Sequence, residues 1–198
     1  MAGPMLDARK VAGTYLFVGA AQFVVGMMIA EAVYPDYSIS GNFISDLGVG
    51  PAAPIFNASV ALLGVFVLAA AYFLRKSFLP RTAWGMIVTV FFLLAGAGAM
   101  GVGIFTEEAG AIHTVVSLVT FLFGALAAIA TFTLVDPPLR YLSLLLGVVS
   151  LAALVLYGAG EYAGLGKGGM ERMVAYPILL WGMGFGGYLM AASPPGTR

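Results

Sequence analysis

Apolar runs of about twenty residues alternate with short polar breaks along the whole chain. Six runs are long enough to matter: Val11–Ala32, Pro54–Leu74, Ala83–Phe105, Ala111–Val135, Tyr141–Gly160 and Met170–Ala192. A helix rises about 1.5 Å per residue, so about 20 such residues cross a hydrocarbon core of roughly 30 Å. A lone strand in lipid would leave its backbone groups unpaired, so each run is expected to be a helix. The pattern predicts an all-α integral membrane bundle of six transmembrane helices, forming one transmembrane domain over residues 1–198. No small-residue cleavage signature follows the first run, which therefore reads as a span and not as a removed leader.

The longest polar break is Tyr34–Asn57, YPDYSISGNFISDLGVGPAAPIFN. It holds Asp36, Tyr37, Ser38, Ser40, Asn42, Ser45 and Asp46. So many hydrogen-bonding groups between two spans predict a loop of defined shape. If ISDLG forms a short helix, Asn42 and Asp46 share one of its faces.

Composition agrees with the pattern. Of 198 residues, 61% are hydrophobic and 9% charged, against roughly 25% charged in soluble domains. Cysteine is absent, which removes disulfides, thiolate ligands and thiol nucleophiles. The charges are unevenly placed. Arg9, Lys10, Arg75, Lys76, Arg81, Arg140 and Arg198 fall on the side of the termini, and only Lys167 and Arg172 on the other. Acids run the opposite way: Asp7 and Asp136 against Glu31, Asp36, Asp46, Glu107, Glu108, Glu161 and Glu171. The positive-inside rule then predicts a multi-pass protein of the cell membrane with both termini cytoplasmic. The basic turns, with Pro80, Pro137 and Pro138, read as plain hairpins with snorkelling anchors. No phosphate loop, dinucleotide fingerprint or nucleic-acid patch is present; GAGAMG follows no strand and reads as a helix-contact run.

Small residues mark where helices touch, because lipid offers no hydrophobic drive for their association. Gly96, Gly98, Gly101 and Gly103 crowd the third helix, and Gly182 with Gly186 form a small-xxx-small pair in the sixth. Pro177 should bend that helix and free the carbonyl of Met173. Gln22 is the one strong hydrogen-bonding group deep in a span; an interhelical bond is its expected work, and lining a cavity the alternative. Glu31, Glu107 with Glu108, and Glu161 stand at similar places near helix ends, as in a triplicated hairpin of about sixty residues.

The candidate ligand-binding residues are Asn42, Asp46, His113, Glu161, Glu171 and Arg172. His113 is the sole histidine, which excludes a zinc site of several imidazoles and a bis-histidine haem. Carboxylates could serve a hard cation, or simply be solvated. His113 and Ser117 lie four apart on one helical face, a spacing open to a nucleophile–base pair or to a structural histidine. An arginine as deep as Arg172 needs a partner: Asp46 or Glu161 within the protein, or the phosphate of a lipid. No feature of the sequence names a cofactor.

At SISGNFISDLGVGPAAPIFNAS the chain resembles the six-span membrane family called domain-of-unknown-function 998. The likeness extends through AQFVVGMMIAEAVYP, GAMGVGIFTEEAGAIH and GLGKGGMERMVAYPILLW. It implies a six-helix membrane fold and no particular activity. More distantly, the chain is similar to the six-span proteins that include the GPI-anchor remodelling factor and the damage-regulated autophagy modulators. Their ISD-T-G motif is matched by Ile44, Ser45, Asp46 and Gly48. Leu47 stands where that motif has threonine, and Ala52–Ala53 where an acid is expected.

The leading expectation is a pocket near the outer face that binds a lipid headgroup or lipid-linked substrate, with membrane lipids as partners. Asp46 and Asn42 would shape it, Arg172 would contact phosphate, and His113 with the loop glutamates would tune its charge. Two alternatives stand beside it: an accessory subunit pressing glycine faces on membrane-protein partners, and a small-solute transporter with a wet path to Gln22.

Overall fold

The computed structural model describes residues 7–79 and 81–191; Pro80, Ala192 and Arg198 lie outside the described residues. Six helices are long and apolar enough to cross a membrane. They are α1 (Ala8–Val33), α2 (Ala53–Ser77), α3 (Ala83–Ile104), α4 (Ala111–Thr131), α5 (Leu139–Gly158) and α6 (Gly166–Ala191). Among the described residues there is no strand.

Local chemistry sets several of these ends. Asp7 caps α1 by accepting from the Arg9 amide at 3.0 Å, and Thr82 caps α3 by accepting from Gly85 at 3.3 Å. Pro54 stands in the first turn of α2, where a missing N–H costs nothing, and Arg75 and Lys76 in its last turn face the negative end of the helix dipole. Two ends depart most from the apolar pattern: α4 stops at Thr131 and not at Val135, and α6 begins at Gly166 and not at Met170. Hydropathy misses this first turn because its residues, GKGG, are small or charged. Glu171 and Arg172 therefore lie inside the helix and buried.

The helices run up and down in a closed ring: each packs on its neighbours in sequence, and α6 closes back on α1. The start of α1 and the end of α6 lie at one end, where Gly13 of α1 meets Gly186 and Leu189 of α6. We call this the terminus end and the other the far end. Glycine is the contact residue at most seams. A Cβ on Gly64 would run into the Met100 amide of α3, one on Gly98 would lie 2.6 Å from Thr120 Oγ1 of α4, and one on Gly147 would lie 2.9 Å from the Ala125 carbonyl. Of the Gly182–Gly186 pair, only Gly186 is tight; the nearest atom to a Cβ on Gly182 would be Ala20 Cβ at 3.9 Å. Polar bonds join other seams. Gln22 donates to the Gly19 and Ser59 carbonyls at 3.0 and 2.9 Å, and Trp181 donates to Ser143 at 3.0 Å. Ser150 donates to the Val174 carbonyl at 2.7 Å, close to the turn that Pro177 interrupts.

The two ends are filled differently. At the terminus end Trp181 stacks on Phe185 with centroids 5.3 Å apart, and Phe92 packs against Trp181 at 5.8 Å. The far end carries the long α1–α2 connection, whose short 3-10 turns Ser45–Gly48 and Gly50–Ala52 tuck Ile44, Leu47 and Ala52 into the bundle.

Gly64→Ala is expected to lower thermal stability in detergent by about 1–3 kcal/mol, the usual cost of overfilling a tight contact. Gly182→Ala, with open space before it, should be neutral or gain up to about 1 kcal/mol from helix propensity. Thermal unfolding of both variants beside the parent checks the pair.

Candidate functional site

The far end is organised by two adjacent residues of α6 with different tasks. Arg172, 5% exposed, is engaged inside the protein through both Nη atoms, while its Nε is buried without a partner among the described residues. Its Nη2 donates to Glu31 Oε1 at 2.5 Å and to the Tyr37 hydroxyl at 2.8 Å. Its Nη1 donates to the carbonyls of Ile39 and Gly168, both at 3.1 Å. The guanidinium thus ties α1, α6 and the α1–α2 connection together. It faces neither Asp46 nor Glu161 as a salt-bridge partner; Glu31, a turn from the end of α1, takes that place. Tyr37 passes the link on by donating to the Phe43 carbonyl at 2.9 Å. Burial pushes its phenol up to about 12, against the opposing pull of Arg172, so Tyr37 keeps its proton at neutral pH.

Glu171 holds the next part of the same loop. Its Oε2 accepts from the Ile44 amide at 2.5 Å. The loop can come this close because α6 begins with glycines. A Cβ on Gly168 would overlap the Asn42 carbonyl, and Gly166, at φ +75°, sits under the Ser40 carbonyl. The Gly168 amide donates to that Ser40 carbonyl at 3.1 Å. Within the loop, Asp46 Oδ2 accepts from Asn42 Nδ2 at 2.9 Å and from the Phe43 amide at 3.0 Å. Asn42 in turn accepts from the Ser38 amide at 3.1 Å. Asn42 lies ahead of the 3-10 turn Ser45–Gly48 and so shares no helical face with Asp46; the two side chains bond across the chain's bend and hold it.

A half-open pocket of about 470 Å³ lies under this loop, where α4 and α5 diverge. Ser45, Glu107, His113, Ser117 and Glu171 line it, beside the apolar Leu118, Phe121 and Leu154. Five of its residues, Ser45, His113, Ser117, Phe121 and Glu171, also line a deeper and almost wholly apolar cavity of about 90 Å³. That cavity in turn shares Leu63, Thr120, Ile178 and Leu179 with a third of about 70 Å³, which ends against Phe92 and Trp181. The sequence of spaces runs from a polar mouth down the bundle axis to an aromatic floor.

His113 stands at the junction. A backbone carbonyl can only accept, so its 2.8 Å contact with the Phe105 carbonyl places the proton on Nδ1. Nε2 is then the acceptor for the Ser117 hydroxyl at 3.3 Å. Glu107 lies on the 3-10 turn Glu107–Ala109 just before α4. Burial and the neighbouring Asp46 raise its carboxyl above the usual range, with Lys167 opposing weakly. Lys167 itself rests over the Phe43 ring at 4.2 Å.

Of the six candidates, His113 and Glu171 line the pocket, Asp46 adjoins it through Glu107, and Asn42 supports Asp46. Arg172 is held behind the pocket wall, and Glu161 is exposed at the α5–α6 turn. Glu31, Glu107 and Glu161, alike in sequence position, meet three different surroundings: an ion pair, a pocket rim and solvent. Among the described residues, no three His, Asp or Glu side chains gather as a metal site. Gln22 lines an apolar groove between α1 and α2, with Phe17, Val25, Ile29 and Leu62. Sequence reasoning did not foresee Tyr37, Ser45 or Phe121. The signal for Tyr37 and Ser45 was their place in the one long polar break; Phe121, one apolar residue among many in α4, carried none.

This fold is that of a multi-pass membrane protein. A family model described as protein of unknown function DUF998 matches residues 17–187, and the chain belongs to that family. No curated protein and no solved structure matches the chain, and the more distant similarity to the GPI-anchor remodelling and autophagy-modulator proteins is not confirmed.

Removing Arg172 strands Glu31 and unties the loop. Arg172→Met is expected to cost about 3–5 kcal/mol, as for other buried pairs broken on one side. Arg172→Met with Glu31→Leu should recover part of that loss, which thermal unfolding of the single and double variants measures.

Proposed function

We propose that the protein binds a single-chain or multi-chain membrane lipid in the pocket between α4 and α5, its headgroup at the polar mouth and one chain in the axial cavities. The observation that carries this reading is the continuity of lining: Glu171, His113 and Ser117 belong both to the half-open pocket and to the apolar cavity behind it. Amphiphiles fit sites with a few polar groups at one end and apolar walls at the other. The terminus end is filled by Phe92, Trp181 and Phe185, which favours binding over passage through the bundle. Gln22 faces the α1–α2 groove, away from any axial path. The glycines proposed for subunit contacts are largely spent on the protein's own seams. The headgroup contact is assigned without Arg172, whose two Nη atoms are engaged elsewhere and which does not line the pocket.

The charge bias further supports a place in the cell membrane with both termini cytoplasmic, so that the far end meets the outer leaflet. The chain has no cysteine to interfere with labelling. In intact cells an impermeant maleimide should label Glu108→Cys and spare Arg81→Cys; the reverse pattern overturns the orientation.

Native mass spectrometry of protein taken gently from its membranes tests the pocket. The parent should retain lipid, Ser117→Trp should lose it, and Val155→Trp, at an α5 residue that is 71% exposed, should keep it. Lipid retained equally by Ser117→Trp, or absent from the parent, overturns the reading.

A further inference from the structure

Of the ionisable side chains that line the pocket mouth, none is a lysine or arginine: beside His113 and the phenol of Tyr157, the others are carboxylic acids. Glu107 and Glu171 line it, and Asp46 stands behind Glu107. Glu171 is 5% exposed and receives one donor, the Ile44 amide, on Oε2; among the described residues no donor reaches its Oε1. The hydroxyls of Ser45 and Ser117 can donate or accept, and His113 presents an accepting Nε2 toward Ser117. The two cations of this end are turned to other work. Arg172 serves Glu31, Tyr37 and two carbonyls, and Lys167 lies over Phe43 outside the lining.

A head that fits such a mouth supplies donors and positive charge. A phosphate does the reverse: it brings only acceptors and negative charge to a place already rich in both, and it would bury like charge against Glu171. An ammonium has three donors, no acceptor and one positive charge. Its charge-assisted bonds to carboxylate strengthen where water is scarce.

We propose that this pocket selects amphiphiles with a protonated primary amine head and discriminates against phosphate heads, with Glu171 Oε1 as the principal acceptor and Glu107 at the rim. The inference rests on the lipid-binding reading above and adds the headgroup class to it.

Three probes with one chain separate the two claims: dodecylamine, dodecanol and dodecyl phosphate, each added to purified protein in a non-ionic detergent and read by native mass spectrometry. Dodecylamine is expected to be retained at least about tenfold over dodecyl phosphate, as charge-assisted bonds to a buried acid allow. Glu171→Gln should lower dodecylamine retention about tenfold while leaving dodecanol unchanged, and Ser117→Trp should remove all three. Because Glu171 also braces the loop, Glu107→Gln serves as a second variant and should weaken dodecylamine alone. Dodecyl phosphate held as well as dodecylamine, or amine retention untouched by both glutamine variants, overturns the headgroup assignment. If dodecanol is still lost on Ser117→Trp in that case, the chain-binding pocket stands without it. Retention of none of the probes overturns both.

Discussion

The far end of the bundle depends on satisfying one buried guanidinium. Arg172 lies on a helix inside a membrane-spanning ring, where an unpaired charge costs several kcal/mol and a half-satisfied one little less. Four groups from three parts of the chain engage its Nη atoms, leaving only Nε without a partner among the described residues: Glu31 on α1, Tyr37 and Ile39 in the long connection, and Gly168 on α6 itself. By holding Tyr37 and Ile39 against α6, the arginine anchors the start of the connection. The connection then delivers the Ile44 amide to Glu171 and places Asp46 near Glu107. The pocket is therefore roofed by a segment anchored one residue along α6 from its own lining.

The rest of the bundle follows from how lipid-facing helices hold together. Without a hydrophobic drive between them, close backbone approach and a few interhelical bonds must suffice. Gly13, Gly64, Gly98, Gly147 and Gly186 bring the six helices into a ring, and Gln22, Ser143 and Ser150 add bonds across its seams. A ring of this kind has an axis to fill. Large stacked aromatics fill it at the terminus end, whereas the far half carries Ser117, Thr120 and Gly124 on α4, which are too small to do so. The cavities lie where those small side chains are. A site that is polar at the mouth and apolar below is the consequence of this change in side-chain size along one helix.

Several features of this site were legible from residue order. The four-residue spacing of His113 with Ser117 produces a real contact at 3.3 Å because a helical turn brings such pairs together, whereas Asn42 reaches Asp46 at 2.9 Å from outside the 3-10 turn Ser45–Gly48. Gln22 bonds between helices, as a lone amide in a span must. Other features were not legible. Arg172 had seven acids to choose from on its side of the chain, and Glu31, 141 residues away, is the one it meets. Glu161 shares the sequence setting of Glu31 and ends in solvent, since the α5–α6 turn does not fold back over the bundle as the α1–α2 connection does.

What the sequence by itself determined is whatever depends on neighbouring residues: six spans, their helical state, the polar break after the first and membership of one membrane family. Those follow from apolar length and from the need to pair backbone groups in lipid, both local conditions. Which charge is neutralised inside, which acids face a cavity and where the axis stays hollow were decided by the tertiary structure alone. Such outcomes turn on separations of a few ångströms between residues far apart in the chain, and these exist only once the ring has closed.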